Sequence, residues 1–216
     1  MSCNGSSQME YHISDDLPDD LDAIRADIWS RLAQAAQDRR AAMHTPVVAT
    51  IAADGSLSQR VMVLRAFDPL SAMLRFHTDA RAAKVDQITG NARVSVLTYD
   101  PAAKRQFRLT GTARIETDTA AADQAWREAT LFAKRCYLAD PAPGSVSDHA
   151  VSGLAADIEG RLPDGDDEVA PGRANFALLL VDVDHAEFLH LAHTGHRRAR
   201  FTRKADSGWA GQWMVP

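Results

Sequence analysis

Hydrophobic residues recur every three to four positions in the stretch that follows a polar and acidic N-terminal segment. This period is typical of an amphipathic helix. Asp19 or Asp20 is suited to cap its start, and we expect it to end near Arg40. Residues 1–20 lack such a pattern, and we predict a disordered leader. The apolar face of the predicted helix consists of Leu21, Ile24, Ile28, Leu32 and Ala35.

From residue 46 onward the dominant period is two, which is typical of β-strands. Asp54-Gly55 predicts a tight hairpin turn between the first two strands. One short helix is predicted from a cap at Thr78 or Asp79 through Ile88, and a longer helix over 119–138. Successive antiparallel strands with flanking helices predict a mainly β fold closed into a small barrel, since closure removes sheet edges. The predicted strands are 46–51, 59–65, 73–77, 92–99, 105–115, 176–183, 187–191, 196–201 and 208–216.

The stretch 140–173 is rich in Pro, Gly and Asp and shows neither period. So long a stretch is either a functional lid or a disordered insertion. Too little chain follows it for a second domain. A chain of 216 residues with 45% hydrophobic residues can bury one good core, so we predict a single domain over 21–216.

Basic residues bracket the predicted strand 59–65. Arg60 and Arg65 flank its apolar positions, and a guanidinium on a rigid strand can grip a phosphate through two parallel hydrogen bonds. The two side chains should face opposite sides of a regular strand. Either a bulge therefore re-aims one of them, or only one contacts a phosphate.

Thr78 and Lys84 extend this basic stretch into the short predicted helix. A hydroxyl, a cation and free N–H groups at a helix start together favour an anion. If an anionic cofactor is bound, the sequence predicts it here. The alternative is that Arg60, Arg65, Arg81 and Lys84 are solvated surface charges.

Charge and cysteine content narrow the function classes. A formal net charge of −5 gives no support to nucleic-acid or anionic-membrane partners. Cys3 and Cys136 do not form a disulfide framework. No window approaches a membrane span or a signal peptide. We therefore expect a cytoplasmic protein.

Several motifs, in their order and spacing, resemble the pyridoxamine 5'-phosphate oxidase family. They are Arg60-Val-Met-Val-Leu-Arg65, His77-Thr78 with Lys84, Arg105-Gln106-Phe-Arg108 with Gly111, Glu187-Phe188, the basic run 196–201, and the closing Trp209 and Met214-Val215-Pro216. The resemblance covers about residues 46–216.

This resemblance implies an FMN-binding split β-barrel of the six-stranded antiparallel Greek-key type. It also implies a homodimer with the flavin at the subunit interface and a small-molecule substrate. The flavin site carried over from the family comprises Arg60, Val61, Met62, Val63, Leu64, Arg65, His77, Thr78, Lys84, Gln106 and Arg200. The Tyr, Arg and Ser set that the family carries after the second helix is not legible in this chain, which leaves Lys134, Arg135 and Tyr137 as candidate substrate contacts. Arg198, in the last basic run, is a further candidate.

The chain departs from the family pattern at several positions. His77 replaces an aromatic residue, Ala83 a basic one and Leu189 a flavin-stacking tryptophan, while His196-Arg197-Arg198 stands where the family has Arg-Leu-His. We therefore expect a substrate other than pyridoxamine phosphate. No catalytic acid or base is identified, because hydride transfer to a flavin can depend on alignment alone.

Three other hypotheses remain open from the sequence. His185, His190, His193 and His196 could suggest a metal or haem site, but no carboxylate or cysteine pattern completes it, and we predict no metal. The protein could instead bind or store flavin without catalysis. The third hypothesis is that the protein is a haem-binding relative that uses the same barrel.

Overall fold

The computed structural model describes Leu17 and residues 19–205 and 208–216. The predicted leader falls almost wholly outside these residues, as does Cys3. The helices are α1 (Leu21–Gln37), α2 (Ala83–Gly90), α3 (Ala120–Glu128), α4 (Leu131–Arg135) and α5 (Asp166–Val169). The strands are β1 (Val47–Ile51), β2 (Leu57–Val61), β3 (Leu64–Asp68), β4 (Met73–Asp79), β5 (Arg93–Asp100), β6 (Arg105–Glu116), β7 (Phe176–His190), β8 (Arg197–Arg203) and β9 (Trp209–Met214).

Helix α1 begins where the sequence indicates. The Asp20 side chain accepts hydrogen bonds from the N–H groups of Asp22 and Ala23, which satisfies two of the free donors at the helix start. The five predicted face residues are in the core except Leu21, which packs against it half-buried. The helix ends at Gln37, three residues before the predicted Arg40.

The described strands form one antiparallel sheet in the order β2-β1-β5-β6-β7-β4-β3, with β8 added to β7 and β9 to β8. The two ends of the path, β2 and β3, are joined by only Met62 and Val63, so the sheet must curl to bring its ends together. The sheet has nine strands, rather than the six of the barrel implied by the resemblance. Phe76, Phe107, Phe188 and Phe201 fill the interior, at most 1% exposed.

Strand β7 is one continuous strand of 15 residues, where the sequence predicted two. Asp182 and Asp184 interrupt the apolar run near the end of the first predicted strand, 176–183. In the structure they pair with Arg114 and Arg93 on the exposed face, so these carboxylates are compatible with an unbroken ladder to β6.

Two further predicted elements are divided in the structure. The predicted strand 59–65 is split into β2 and β3, and the predicted helix 119–138 becomes α3, α4 and a final 3-10 turn. Thr130 causes the helix break because its hydroxyl accepts from the Ala133 N–H and caps a new helix. The predicted turn at Asp54-Gly55 is present, with φ of +83° at Gly55.

The last strand is only partly packed into the fold, although both of its tryptophans suggested burial. Trp209 packs edge-on against Trp29, with 5.2 Å between ring centroids. Trp213 is 41% exposed. No helix among the described residues has the length and apolar content needed to cross a bilayer.

Candidate functional site

A cavity of about 550 Å³ lies between the β2–β3 connection, the end of β4, the start of α2 and the α4 region. This volume is in the range of small-molecule and cofactor sites. Its walls come from separate parts of the chain. The lining residues are Arg60, Val61, Met62, Val63, Arg65, His77, Thr78, Asp79, Lys84, Ala129, Phe132, Ala133, Arg135, Cys136, Tyr137, Pro143 and Leu154.

The β2–β3 connection explains how Arg60 and Arg65 reach the same cavity. Strand β2 ends at Val61, and the Met62 N–H donates to the Pro46 carbonyl (3.0 Å) as the chain leaves the ladder. Strand β3 then has a register shift between Leu64 and Ala66, which leaves Arg65 as the bulged residue. The break and the bulge together remove the strict alternation that would place the two side chains on opposite faces.

Arg60 occupies one end of the cavity and is held by neutral oxygen atoms. Its guanidinium donates to the Val48 carbonyl (3.2 Å), Thr50 Oγ1 (2.7 Å), Ser58 Oγ (2.6 Å) and Gln87 Oε1 (3.3 Å). These contacts orient the fork without neutralising it, and burial lowers the pKa of the guanidinium. Its positive charge therefore remains available to a ligand.

Lys84 lies beside this guanidinium. Its Nζ donates to Thr78 Oγ1 at 3.0 Å. Burial lowers the pKa of Lys84, the Arg60 charge lowers it further, and Asp79 opposes both effects. Asp79 itself is paired with Arg81 at 2.8 Å. Within the described part of the chain no carboxylate forms an ion pair with Arg60 or Lys84, so the two cations face the cavity uncompensated.

The turn before Lys84 differs from the prediction. Thr78 and Asp79 are the last residues of β4, and α2 starts four residues later with Ala82 as an N-cap that has no side-chain bond. The Asp79 side chain accepts from the Arg81 N–H (2.8 Å) and so shapes the turn. The hydroxyl of Thr78 is buried, and the predicted helix cap is absent.

His77 forms the middle of the cavity wall. Its ring packs edge-on against Phe176, with 4.9 Å between centroids. Burial, with the charges of Arg65 and Arg75, lowers the pKa of His77 to about 3, so the imidazole is neutral at physiological pH. Its buried Nε2 has no hydrogen-bond partner among the described residues. A buried polar atom without a partner is uncommon in proteins and indicates a place for a ligand or water.

The opposite wall is more apolar and belongs to α4 and the loop that follows it. Phe132 is 65% exposed, and the Arg135 guanidinium lies 5.3 Å from its ring centroid. Burial raises the pKa of both Tyr137 and Cys136, so both are uncharged at neutral pH. An apolar wall opposite a cationic end suits a ligand with a ring and an anionic tail.

The structure brings most of the predicted site residues together. Ten of them line the cavity: Arg60, Val61, Met62, Val63, Arg65, His77, Thr78, Lys84, Arg135 and Tyr137. Leu64 is fully buried in the core and does not line it. Gln106, Arg198 and Arg200 lie on β6 and β8, outside the cavity of the same chain.

The distance of Arg200 from the cavity follows from strand register. In-register neighbours place Val61, Val47, Leu97, Arg108, Glu187 and Arg200 in one row across β2, β1, β5, β6, β7 and β8. Five strand spacings separate the first and last members, which is about 24 Å along the sheet. Arg200 instead donates to Gln212 (3.0 Å), and Arg198 to Glu187 (2.7 Å).

Sequence reasoning missed seven lining residues: Asp79, Ala129, Phe132, Ala133, Cys136, Pro143 and Leu154. In the predicted helix 119–138, the apolar Phe132 fits the helical pattern, so nothing in the sequence indicates that it lines a cavity. Pro143 and Leu154 fall in the stretch 140–173. Its lack of periodicity allowed a lid, but did not indicate which of its residues would line a cavity. The described residues contain no group of His, Cys, Asp and Glu arranged to hold a metal ion.

Comparisons with known proteins give one matching family model and one similar curated protein. Residues 26–117 match the sequence model of a family described as pyridoxamine 5'-phosphate oxidase, FMN-binding domain. Over 171 residues the chain is 26% identical to a pyridoxine/pyridoxamine 5'-phosphate oxidase of Hyphomonas neptunium, a span covering 78% of this chain and 76% of that protein.

Two solved structures share the fold. One is a pyridoxamine 5'-phosphate oxidase-related, FMN binding protein of Nostoc punctiforme, with TM-score 0.68 and 24% identity, covering 89% of this chain and 96% of that one. The other is PhzG of Burkholderia lata in complex with tetrahydrophenazine-1-carboxylic acid, with TM-score 0.65 and 19% identity, covering 94% and 95%. The predicted split-barrel fold is confirmed.

Proposed function

Because residues 26–117 match the sequence model of the pyridoxamine 5'-phosphate oxidase FMN-binding domain family, we propose that the protein is an FMN-dependent oxidoreductase acting on a small molecule. The observation that carries the proposal is the pair of uncompensated cations, Arg60 and Lys84, at one end of a cavity with an apolar opposite wall. A phosphate dianion there would offset the charge repulsion and the cost of burial that lower the pKa of Lys84.

The residues present fit FMN at this site. Arg60 and Lys84 would hold the phosphate, with Thr78 positioning the ammonium. The backbone of 61–63 and the neutral His77 offer polar groups to the ring system. When bound, FMN would supply hydride or electron transfer. The protein would orient the reactants and exclude water, and the neutral imidazole would contribute a hydrogen bond without adding charge.

The substrate is proposed to differ from pyridoxamine phosphate. Leu189 and His196-Arg197-Arg198 depart from the family at positions associated with the flavin ring and the vitamin. The related PhzG was solved with a tricyclic carboxylic acid, so the fold accommodates a planar acid in that protein. We propose a small organic molecule of this general kind, in a protein located in the cytoplasm.

A homodimer with FMN at the subunit interface is part of the proposal. Val61 lines the cavity and is also 64% exposed on the outer face of the sheet, in the same row as Leu97, which is 39% exposed. Tyr99 and Gln106 lie in the next row of that face. If a second copy covered this apolar surface, its Gln106, Arg198 and Arg200 would approach the cavity that they cannot reach in their own chain.

The stretch 140–173 is proposed to act as a lid over the same cavity. Arg81 donates to the carbonyls of Ala139 and Asp140, both at 2.9 Å. Arg135 donates to the Arg161 carbonyl, and the buried Lys134 pairs with Asp166 at 2.6 Å. These contacts tie the stretch to the turn between β4 and α2 and to α4. Pro143 and Leu154 of the stretch line the cavity.

Reconstitution with FMN tests the proposed function. The purified protein should bind one FMN per chain, show the absorbance of oxidised flavin, and be bleached by a reduced nicotinamide with return of colour in air. Stable binding without any reduction would instead indicate a flavin-storing protein. A Soret band on addition of haem, lost when His193 or His196 is substituted, would replace the proposal by the haem alternative.

A further inference from the structure

Arg81 lies in the turn between β4 and α2, and it is not the solvated surface charge that the sequence allowed. Its guanidinium donates to both carboxylate oxygens of Asp79, at 3.0 and 2.8 Å. It also donates to the carbonyls of Ala139 and Asp140, both at 2.9 Å. These bonds use most of the donors that a guanidinium has. Arg81 therefore joins a residue of the cavity wall to the start of the stretch 140–173.

Asp79 would weaken an anion site if its charge were not compensated. Among the described residues that line the cavity it is the acidic one, and its side chain is only 7% exposed, so solvent screens its charge poorly. Burial and the Arg60 charge lower the pKa of Lys84, and the Asp79 charge opposes them, so this carboxylate acts directly on the ammonium. Arg81 neutralises the carboxylate, which leaves the Lys84 charge for a ligand.

The other two bonds of Arg81 hold the base of the 140–153 loop. The first and last residues of this loop are joined by a hydrogen bond of 3.1 Å from the Asp140 N–H to the Gly153 carbonyl. A guanidinium that fixes the base of the loop also fixes the cavity wall that the loop supplies. The cavity-lining residues of this region are Pro143 and Leu154.

We propose that Arg81 is a positioning residue that couples closure of the 140–153 loop to anion binding. With Arg81 in place, Asp79 is neutralised and the loop base is held, so the cavity is cationic and closed on this side. Without it, the Asp79 carboxylate would offset the charge of Lys84, and the loop would lose two hydrogen bonds. This inference rests on the proposed function, since it takes the anion to be the flavin phosphate. Because coupling is reciprocal, FMN should in turn protect the loop.

The affinities of FMN and riboflavin test the contact with Asp79. Arg81→Ala should weaken FMN about tenfold more than riboflavin, because only FMN carries the phosphate that an uncompensated carboxylate repels. Adding Asp79→Asn should remove this difference, since an amide oxygen still accepts from the backbone N–H of residue 81 but carries no charge. Arg81→Lys, which keeps the cation and loses the planar fork, should show little of the difference. Calorimetry measures each affinity.

Hydrogen exchange of the 140–153 loop, followed by mass spectrometry, tests the contact with the carbonyls. Exchange in the flavin-free Arg81→Ala, Arg81→Lys and double variants should be faster than in the native protein, because all three lack the fork that holds the loop base. FMN should slow this exchange in the native protein and less in the variants. Arg127→Ala is the matched control, since Arg127 is exposed on α3 and does not line the cavity; it should change neither binding nor exchange.

Equal weakening of FMN and riboflavin by Arg81→Ala would overturn the proposed coupling, as would a double variant whose preference for FMN is still reduced. Unchanged exchange of the loop in Arg81→Ala would overturn it as well. If Arg81→Ala does not fold, Arg81→Gln carries the same comparisons. If the native protein binds no FMN, the proposed function fails, and exchange in the flavin-free variants still decides whether Arg81 holds the loop.

Discussion

The Arg60 guanidinium is fixed by oxygen atoms that carry no charge. The hydroxyls of Thr50 and Ser58, the amide oxygen of Gln87 and the Val48 carbonyl supply its hydrogen bonds. A carboxylate in their place would neutralise the cation and remove its attraction for a phosphate. The Thr50 hydroxyl also donates to Gln87 Oε1 (2.5 Å), so the partners are themselves held in place. Such a site is preorganised for an anion before the anion arrives.

The buried His77 should make the stability of the protein depend on pH. Its folded-state pKa of about 3 is below the ordinary value of 6.5, so below pH 6.5 the unfolded chain takes up a proton that the folded protein excludes. Stability contributed by the neutral ring should be lost as pH falls from 6.5 toward 3, by up to about 2 kcal/mol between pH 7 and pH 5. Urea unfolding of the flavin-free protein at several pH values measures this.

His77→Phe is the comparison for that measurement. It keeps an aromatic ring against Phe176 and removes the titrating group, so its stability should decline less between pH 7 and pH 5. The other histidines are present in both proteins and cancel in the difference. Identical pH slopes for the two proteins would show that His77 is protonated normally in the folded state.

The long ladder between β6 and β7 holds the strands β4 and β8, which carry different parts of the predicted flavin site. Strand β7 pairs with β4 in its first half and with β8 in its second, while β6 follows it along nearly its whole length. A register shift between Thr110 and Gly111 lets the two strands bend together. A Cβ atom at Gly111 would lie only 2.1 Å from the carbonyl oxygen of Asp182, so this approach requires glycine.

Gly111→Ala should therefore destabilise the fold by about 1–3 kcal/mol, the usual cost of overpacking. The reason is that backbone atoms of Asp182 and Val183, rather than a flexible side chain, must give way. Thermal or urea unfolding measures the change. Gly90→Ala, in the last turn of α2 with nothing within 4 Å, should be neutral or slightly stabilising. A Gly111→Ala protein as stable as Gly90→Ala would contradict the described register.

The sequence predicted elements best where one local pattern decided the outcome. The capped helix α1, the Asp54-Gly55 turn and the strands β1, β5 and β6 follow from period and turn chemistry. The breaks at Met62–Val63 and Ala129–Thr130 were missed because the apolar pattern continues through them. The unbroken β7 was missed because the partners of Asp182 and Asp184 lie more than 60 residues away. Elements that depend on such distant partners cannot be read from a local pattern.

In the whole molecule the predicted flavin-site residues fall into two groups that lie far apart on the sheet. Arg60, His77 and Lys84 converge in one cavity, as the motifs suggested. Gln106 and Arg200 lie across the sheet from it, and the linear motif gives no indication of this separation. Only strand order shows that about 24 Å of sheet intervenes. A second copy placed against this face would unite the halves, which is why the proposed dimer and the proposed flavin site depend on each other.

Leu97→Asp should disrupt that association. Leu97 ends the apolar row Val61, Val47 and Leu97, and its neighbour Arg108 is already paired with Glu187. A carboxylate at this position would have to be desolvated at an apolar interface. Size-exclusion chromatography with light scattering should show a dimer for the native protein and a monomer for the variant, with weakened FMN binding. Leu70→Asp, at a position 91% exposed on the β3–β4 turn, should remain dimeric. A native protein that is monomeric yet binds FMN fully would contradict the shared interface.

The affinity of FMN relative to riboflavin tests the central claim most directly, because the two ligands differ only in the phosphate. Substituting Arg60 or Lys84 by Ala should weaken FMN about 10- to 100-fold per substitution and leave riboflavin nearly unchanged. Lys204→Ala, an exposed lysine outside the cavity, should affect neither. Equal weakening of FMN and riboflavin in the Arg60 and Lys84 variants, or no weakening of either, would contradict the account.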